Sequence, residues 1–239
     1  MLDSLMKNSL MIEQKNRILV IVAHPDDETI GMGGTISKLL RDGDSVDVIS
    51  MTDGVSSRTE STSLEIGERA KSAKSASEIL GFNWFKQLNF PDNAMDTVAL
   101  IDIIKEIELA KEELCPDVIY THSAADLNVD HRITLEATLT AFRPQPAEKY
   151  TEIISFEVQS SSEYGHKSIF GEFAPNMFVN ISDFWETKEK ALRAYKKEMR
   201  SYPHSRSIES LSFLSNHRGS QVGLERAEAF EILRKVIRK

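Results

Sequence analysis

Apolar residues in this chain alternate between short unbroken runs and longer stretches where they recur every three or four positions. Ile18-Leu19-Val20-Ile21-Val22-Ala23 is the first run, and a run that short and rich in β-branched residues predicts a strand buried on both faces. It stops at His24-Pro25-Asp26-Asp27-Glu28, and a helical pattern (Ile36, Leu39, Leu40) follows Gly31, Gly33 and Gly34 and ends at Gly43. Further strands are predicted at Ser45–Met51, Trp84–Phe90, Asp117–Thr121, Ile153–Val158 and Phe178–Ile181. Between them the period is helical. Leu64–Leu80 has Ala70, Ala73, Ala76, Ile79 and Leu80 as its small apolar face and Gly81 as its stop. Thr97–Leu114 presents Leu100, Ile101, Ile104, Ile107 and Leu109, and Ile133–Phe142 and an Asp-capped Asp183–Met199 complete the set. From Tyr202 onward the chain is polar and mostly helical. Leu2, Leu5, Met6 and Leu10 place either a short amphipathic helix or a loose tail over residues 1–15.

Strand and helix alternating this regularly predict an α/β fold, a mostly parallel sheet flanked by helices. No repeat, linker or composition break divides the 239 residues, so a single domain over 1–239 is the simplest account. The contents of 41% hydrophobic and 28% charged residues are those of an ordinary globular chain. The net charge of −8, with no basic stripe to offset it, argues against a nucleic-acid or anionic-membrane surface. No apolar run reaches membrane-spanning length, and Asp3 and Glu13 interrupt the N-terminal stretch, which is therefore no secretory signal. One cysteine, Cys115, excludes an internal disulfide and a cysteine-based zinc cage and fits a reducing, cytoplasmic location.

The chemistry gathers where strands end. Three acids and a histidine beyond a buried strand are costly to place unless something binds them. The Asp117–Thr121 strand also runs into polar residues, His122-Ser-Ala-Ala-Asp-Leu-Asn-Val-Asp-His131. Right-handed crossovers put both clusters at one edge of the sheet, where open α/β proteins bind ligands. His24, Asp27 and His131 make a two-imidazole, one-carboxylate set, which suits a catalytic zinc with a position left for water. The metal lowers the pKa of that water towards neutrality. Asp26 is then free to act as general base, and Asp130 is placed to fix an imidazole tautomer from behind. Taken alone, Asp26 or Asp27 is better explained as a helix cap, and His131 as a solvated or hydrogen-bonded histidine. The combination at the ends of two buried strands favours the metal. Gly31, Gly33 and Gly34 lack dinucleotide-binding spacing and are assigned to close helix packing.

Ala23-His-Pro-Asp-Asp-Glu28 after a buried strand, with Asp130-His131 about a hundred residues later, resembles the PIG-L/LmbE-type N-acetylglucosaminyl deacetylases. Pro175-Asn-Met-Phe-Val179 and Ala227-Glu-Ala-Phe230 support the likeness. The resemblance implies a Rossmann-like fold, a zinc on His24, Asp27 and His131, and Asp26 as base; Fe2+ or Co2+ are possible substitutes. It implies hydrolysis of an N-acetyl group on a small amino sugar or glycoconjugate, giving acetate and a free amine. Arg69 and Asp92 fall where that family has an arginine and an aspartate facing the sugar. Many members carry a histidine three residues before the last ligand, and this chain has Asn128 there. An amide can donate to an oxyanion but cannot do acid chemistry. The proton for the leaving amine then falls to Asp26, with His204 a distant second choice. Two other functions fit the donor set. An iron oxygenase uses two histidines and one carboxylate, but that class sits on all-β scaffolds. A non-catalytic sugar-binding module would have no use for Asp26 beside the metal.

Overall fold

The computed structural model describes residues 15–57 and 63–238. The expected N-terminal helix or tail, and the middle of the Ser/Thr-rich loop after Gly54, lie outside the described residues. In chain order the elements are β1 (Arg17–Val22), α1 (Asp27–Asp42), β2 (Ser45–Thr52), α2 (Ser63–Leu80), β3 (Asn83–Phe90), α3 (Leu100–Leu114), β4 (Val118–His122), α4 (Val129–Ala141), β5 (Glu152–Phe156), α5 (Lys167–Phe170), β6 (Met177–Asn180), α6 (Trp185–Ala194), α7 (Ile208–Ser220) and β7 (Ala227–Lys235). The strands form one sheet in the order β3-β2-β1-β4-β5-β7-β6. It is parallel from β3 to β5, while β7 pairs antiparallel with both β5 and β6.

Strand β1 explains why the first apolar run is unbroken. Ile18, Val20 and Val22 pack with α1, α2 and α6, whereas Leu19 and Ile21 pack with α3 and α4. Alternate side chains of a strand point to opposite faces, and here both faces are covered by helices, so no polar position is tolerated. The strand order reverses between β1 and β4, which lie side by side with Ile18 opposite Val118. The ends of these two strands open the crevice that α/β sheets use for ligands.

Several sequence expectations change in the structure. Residues Ala227–Lys235 form a nine-residue strand inside the sheet where helix was expected; Phe230 pairs with Phe156 and with Met177, so tertiary pairing overrides the local pattern. In α2 the buried face is Arg69, Ala73, Ala76, Ser77 and Leu80, while Ala70 and Ile79 are exposed. The face is turned towards Arg69 because that guanidinium has partners inside. In α3 the buried residues are Ile103, Ile104, Ile107 and Ala110, with Ile101 and Leu109 more than half exposed. The expected Asp183–Met199 helix begins at Trp185 without a side-chain cap and stops at Ala194; beyond it Tyr195 and Glu198 turn inward to Glu28 and Arg69. The helix assigned to Ile133–Phe142 starts four residues earlier, at Val129, with Asn128 as its cap.

The close-packing assignment holds for Gly31 and Gly34, while at Gly33 the nearest neighbour of a Cβ would be the flexible Lys188 side chain, at 3.3 Å. A Cβ on Gly31 would lie 2.3 Å from the Phe156 ring, and one on Gly34 would lie 2.8 Å from Ile181. Either contact is closer than atoms can approach without rearrangement.

Candidate active site and metal centre

His24 leaves the end of β1, Asp27 opens α1, and His131 sits in the first turn of α4. The structure brings their side chains to one point. His24 Nδ1 lies 3.2 Å from Asp27 Oδ2 and 3.2 Å from His131 Nε2, and His131 Nε2 lies 3.3 Å from Asp27 Oδ2. All three residues are buried. Four donors about 2.0–2.1 Å from a zinc ion stand roughly 3.3 Å apart at the corners of a tetrahedron, so the triangle has the dimensions that ion requires.

Outer partners point both imidazole lone pairs into this triangle. His24 Nε2 faces Asp92 Oδ1 and Asp130 Oδ2, each at 3.3 Å, and His131 Nδ1 faces Asp126 Oδ2 at 3.0 Å. A carboxylate behind each ring takes the outer N–H and leaves the inner nitrogen as an acceptor. Three acceptors this close need a cation between them. Although burial disfavours the charged ring, Asp27 and Asp126 hold His131 up to about 9. Against the effect of burial, the His131 and His24 rings in turn hold Asp27 well below the usual carboxylate range. Asp27 Oδ1 is also buried with no hydrogen-bond partner, as a carboxylate aimed at a cation can be. The residues present fit a divalent metal.

Asp26, beside the triangle, is equally buried. Burial pushes its carboxyl above the ordinary value, and two guanidinium groups pull it back: Arg69 at 3.1 Å from Oδ1 and Arg206 at 3.2 Å from Oδ2. Glu28 accepts the backbone N–H of Asp26 and the hydroxyl of Tyr195, fixing the turn from beneath. Together with Ser57, Asp92, Asn128 and Arg206, the residues His24, Asp26 and His131 line a cavity of about 380 Å³.

Residues 19–142 of this chain match the PIG-L family, described as GlcNAc-PI de-N-acetylase. The chain belongs to the PIG-L family. An Escherichia coli relative, described as the uncharacterized deacetylase YaiS, is 28% identical over 203 residues, spanning 82% of this chain and 100% of that protein. The diacetylchitobiose deacetylase of Thermococcus kodakarensis is 31% identical over 200 residues, 76% of this chain and 70% of that one. Among solved structures, the N,N'-diacetylchitobiose deacetylase of Pyrococcus horikoshii superposes with a TM-score of 0.74 at 24% identity, covering 92% of this chain and 85% of that one. That last likeness establishes the shared fold.

In this PIG-L chain the remaining sequence-named residues fall into distinct places. Asp130 faces His24 rather than the adjacent His131, and it also accepts the N–H groups of Asn93 and Met95. Neighbours in a helix point about 100° apart, so Asp130 and His131 cannot serve each other. Asn128 is the α4 cap, accepting from the Asp130 N–H, and its amide donates to Asn93. Asp92 accepts from the Ser57 hydroxyl and N–H, which together with His24 hold it at about 2 despite burial. Arg69 and Asp92 both reach the cavity, yet Arg69 pairs with Asp26 and Glu198 and not with Asp92. His204 is exposed and accepts from the Arg206 N–H, and it does not line the cavity.

Three contributors carry little or no mark in the sequence. Asp126 holds His131 and is itself held by the hydroxyls of Ser161 and Ser162. Its one sequence signal is an acid in the loop just before the ligand. His122 stacks on His131 with ring centroids 3.9 Å apart and accepts the Ala23 N–H at 2.8 Å; burial keeps it neutral, down to about 3. Arg206 comes from the polar tail 180 positions after Asp26, and nothing local marks it. The carboxylate behind His131 leads to one expectation: Asp126→Asn lowers metal affinity roughly 10–100-fold, measured by chelator competition.

Proposed function

We propose that this chain hydrolyses the N-acetyl group of an N-acetylated amino sugar or its conjugate, releasing acetate and a free amine, with zinc as its metal. The observation that carries the reading is a buried carboxylate, Asp26, beside a donor triangle of zinc dimensions in a PIG-L chain. His24, Asp27 and His131 would hold the ion; Fe2+ and Co2+ suit the same donors. When bound there, it supplies Lewis acidity for a water and for the amide carbonyl.

Asp26 is assigned the proton work. It takes a proton from the attacking water and gives it to the nitrogen as the C–N bond breaks, so one carboxylate serves as base and then as acid. Arg69 and Arg206 orient that carboxylate between turnovers and oppose the upward pull of burial. Asn128, whose amide cannot supply a proton, is left the role of hydrogen-bond donor to the developing oxyanion. Asp130 and Asp126 orient the imidazoles. The substrate is a small molecule, and the single, exposed Cys115 supports a cytoplasmic location; among the described residues no helix is long and apolar enough to cross a membrane.

Asp92 is assigned to the sugar. Its Oδ2 is committed to Ser57, and His24 Nε2 has Asp130 as a second acceptor, so Oδ1 can take a ring hydroxyl. Arg69, assigned to the same task by resemblance, is better placed to hold Asp26. Asp92→Ala should lower kcat/KM on the sugar roughly 10–100-fold, the worth of one charged hydrogen bond. Zinc content should persist, and a minimal acetamide without ring hydroxyls should be little affected. Equal losses on both substrates would reject the assignment. The function itself is tested by offering the zinc-loaded protein a panel of N-acetylated sugars and assaying free amine and acetate. A panel without turnover, at full metal occupancy, would overturn it.

A further inference from the structure

Helix α1 is broken in the middle. Met32 has φ −144° and ψ 22°, which is not helical backbone. In a continuous helix the Gly34 N–H would bond the Ile30 carbonyl; here each of the two has a partner from outside the helix. The Glu228 carboxylate, from β7, accepts the N–H groups of Gly34 at 3.0 Å and Thr35 at 2.7 Å. The Lys188 ammonium, from α6, donates to the Ile30 carbonyl at 2.7 Å. Lys188 and Glu228 then bond each other at 2.6 Å, with side chains only 5% and 4% exposed. A buried ion pair has been inserted into the helix at the point where its own ladder opens.

Stability does not explain this arrangement. Two buried charges commonly contribute no more than apolar side chains of the same volume, and an unbroken helix would need neither. Kinks have local causes, usually proline or an inserted side chain, and here the inserted groups come from two distant elements. The short first half, from Asp27 to Gly31, carries Asp27 and Glu28. Asp27 Oδ2 has to stand 3.2 and 3.3 Å from the two imidazole nitrogens at once, so a small tilt of that half spoils the triangle.

We infer that the Lys188–Glu228 pair is a positioning device that holds the α1 break open and so aims Asp27 at the metal site. The inference rests on the reading of His24, Asp27 and His131 as metal donors. Neither residue lines the cavity or touches the triangle; both act through the backbone of α1.

The test is Lys188→Met/Glu228→Leu in the full-length chain, scored by zinc affinity in chelator competition and by the melting temperature of the metal-free protein. Removing both charges lets Gly34 N–H return to the Ile30 carbonyl and the helix straighten. The metal-free melting temperature should therefore equal or exceed that of the parent, while zinc affinity falls roughly 10–100-fold, the range for outer supports of a metal site. A packing role would move the two measurements together, or leave affinity alone. Unchanged affinity in the folded double variant overturns the inference. Should that variant fail to fold, Lys188→Met/Glu228→Gln retains an acceptor for Thr35, and the same two measurements on it decide between the same outcomes. A parent protein that binds no zinc would instead overturn the metal-site reading.

Discussion

Asp26→Asn will keep its metal and lose its turnover by roughly two to four orders of magnitude, the usual contribution of a positioned general base. The change leaves His24, Asp27 and His131 untouched, so metal content should match the parent. Asparagine retains an oxygen to accept from one arginine, and Arg69 keeps Glu198 as a second partner, so the buried guanidinium is not stranded. What disappears is the only group assigned to move protons. Because Asp26 is proposed as both base and acid, hydrolysis of activated esters, whose leaving group needs no proton, should suffer less than hydrolysis of the amide. Metal analysis, a melting curve and kcat on a competent N-acetyl sugar decide the matter. A fast Asp26→Asn enzyme, or one that has lost its zinc, would mean the roles of the two adjacent aspartates have been misassigned.

Asp27→Asn and His131→Ala should fail in the opposite way, through the metal. Each removes one of three donors, and loss of a direct ligand must exceed the roughly 10–100-fold penalty of losing an outer support. Chelation of the parent protein should abolish turnover, and added zinc should restore it. The melting temperature should fall on chelation, since binding to the folded state alone stabilises it. His131→Ala also strips Asp126 and the His122 ring of their partner, so its metal-free form should melt below that of Asp27→Asn. Full activity in a preparation free of metal would sink the mechanism entirely.

The residues that favour the metal also set one another's state. Asp126 and Asp130 fix the outer nitrogens, and His122 keeps its ring neutral against His131. The positive charge of a metal ion is the element this arrangement is shaped to receive. Around Asp26 the logic is inverted: burial raises its carboxyl above the ordinary range, and two cations oppose that rise. One cavity thus holds an acidic nest for a cation and a basic clamp for an anion, side by side.

The sequence by itself determined the elements whose signal is local. The unbroken run of β1 suits a doubly covered strand, and right-handed crossovers place the ionisable residues after β1 and β4 at one sheet edge. His24, Asp26, Asp27 and His131 were therefore nameable from spacing and residue type. Tertiary structure alone decided the rest, because those features arise from partners far apart in the chain. Residues 227–235 became a strand since β5 and β6 offered it two ladders. The direction in which a helix projects consecutive side chains turned Asp130 towards His24, and the loop before α4 brought Asp126 behind His131. Arg69 took a core position in α2 because Asp26 and Glu198 wait inside, and Arg206 reached the same carboxylate from the opposite end of the chain. A sequence records which groups exist; only the packed backbone fixes which lone pair faces which proton, and at this site the chemistry depends on that choice.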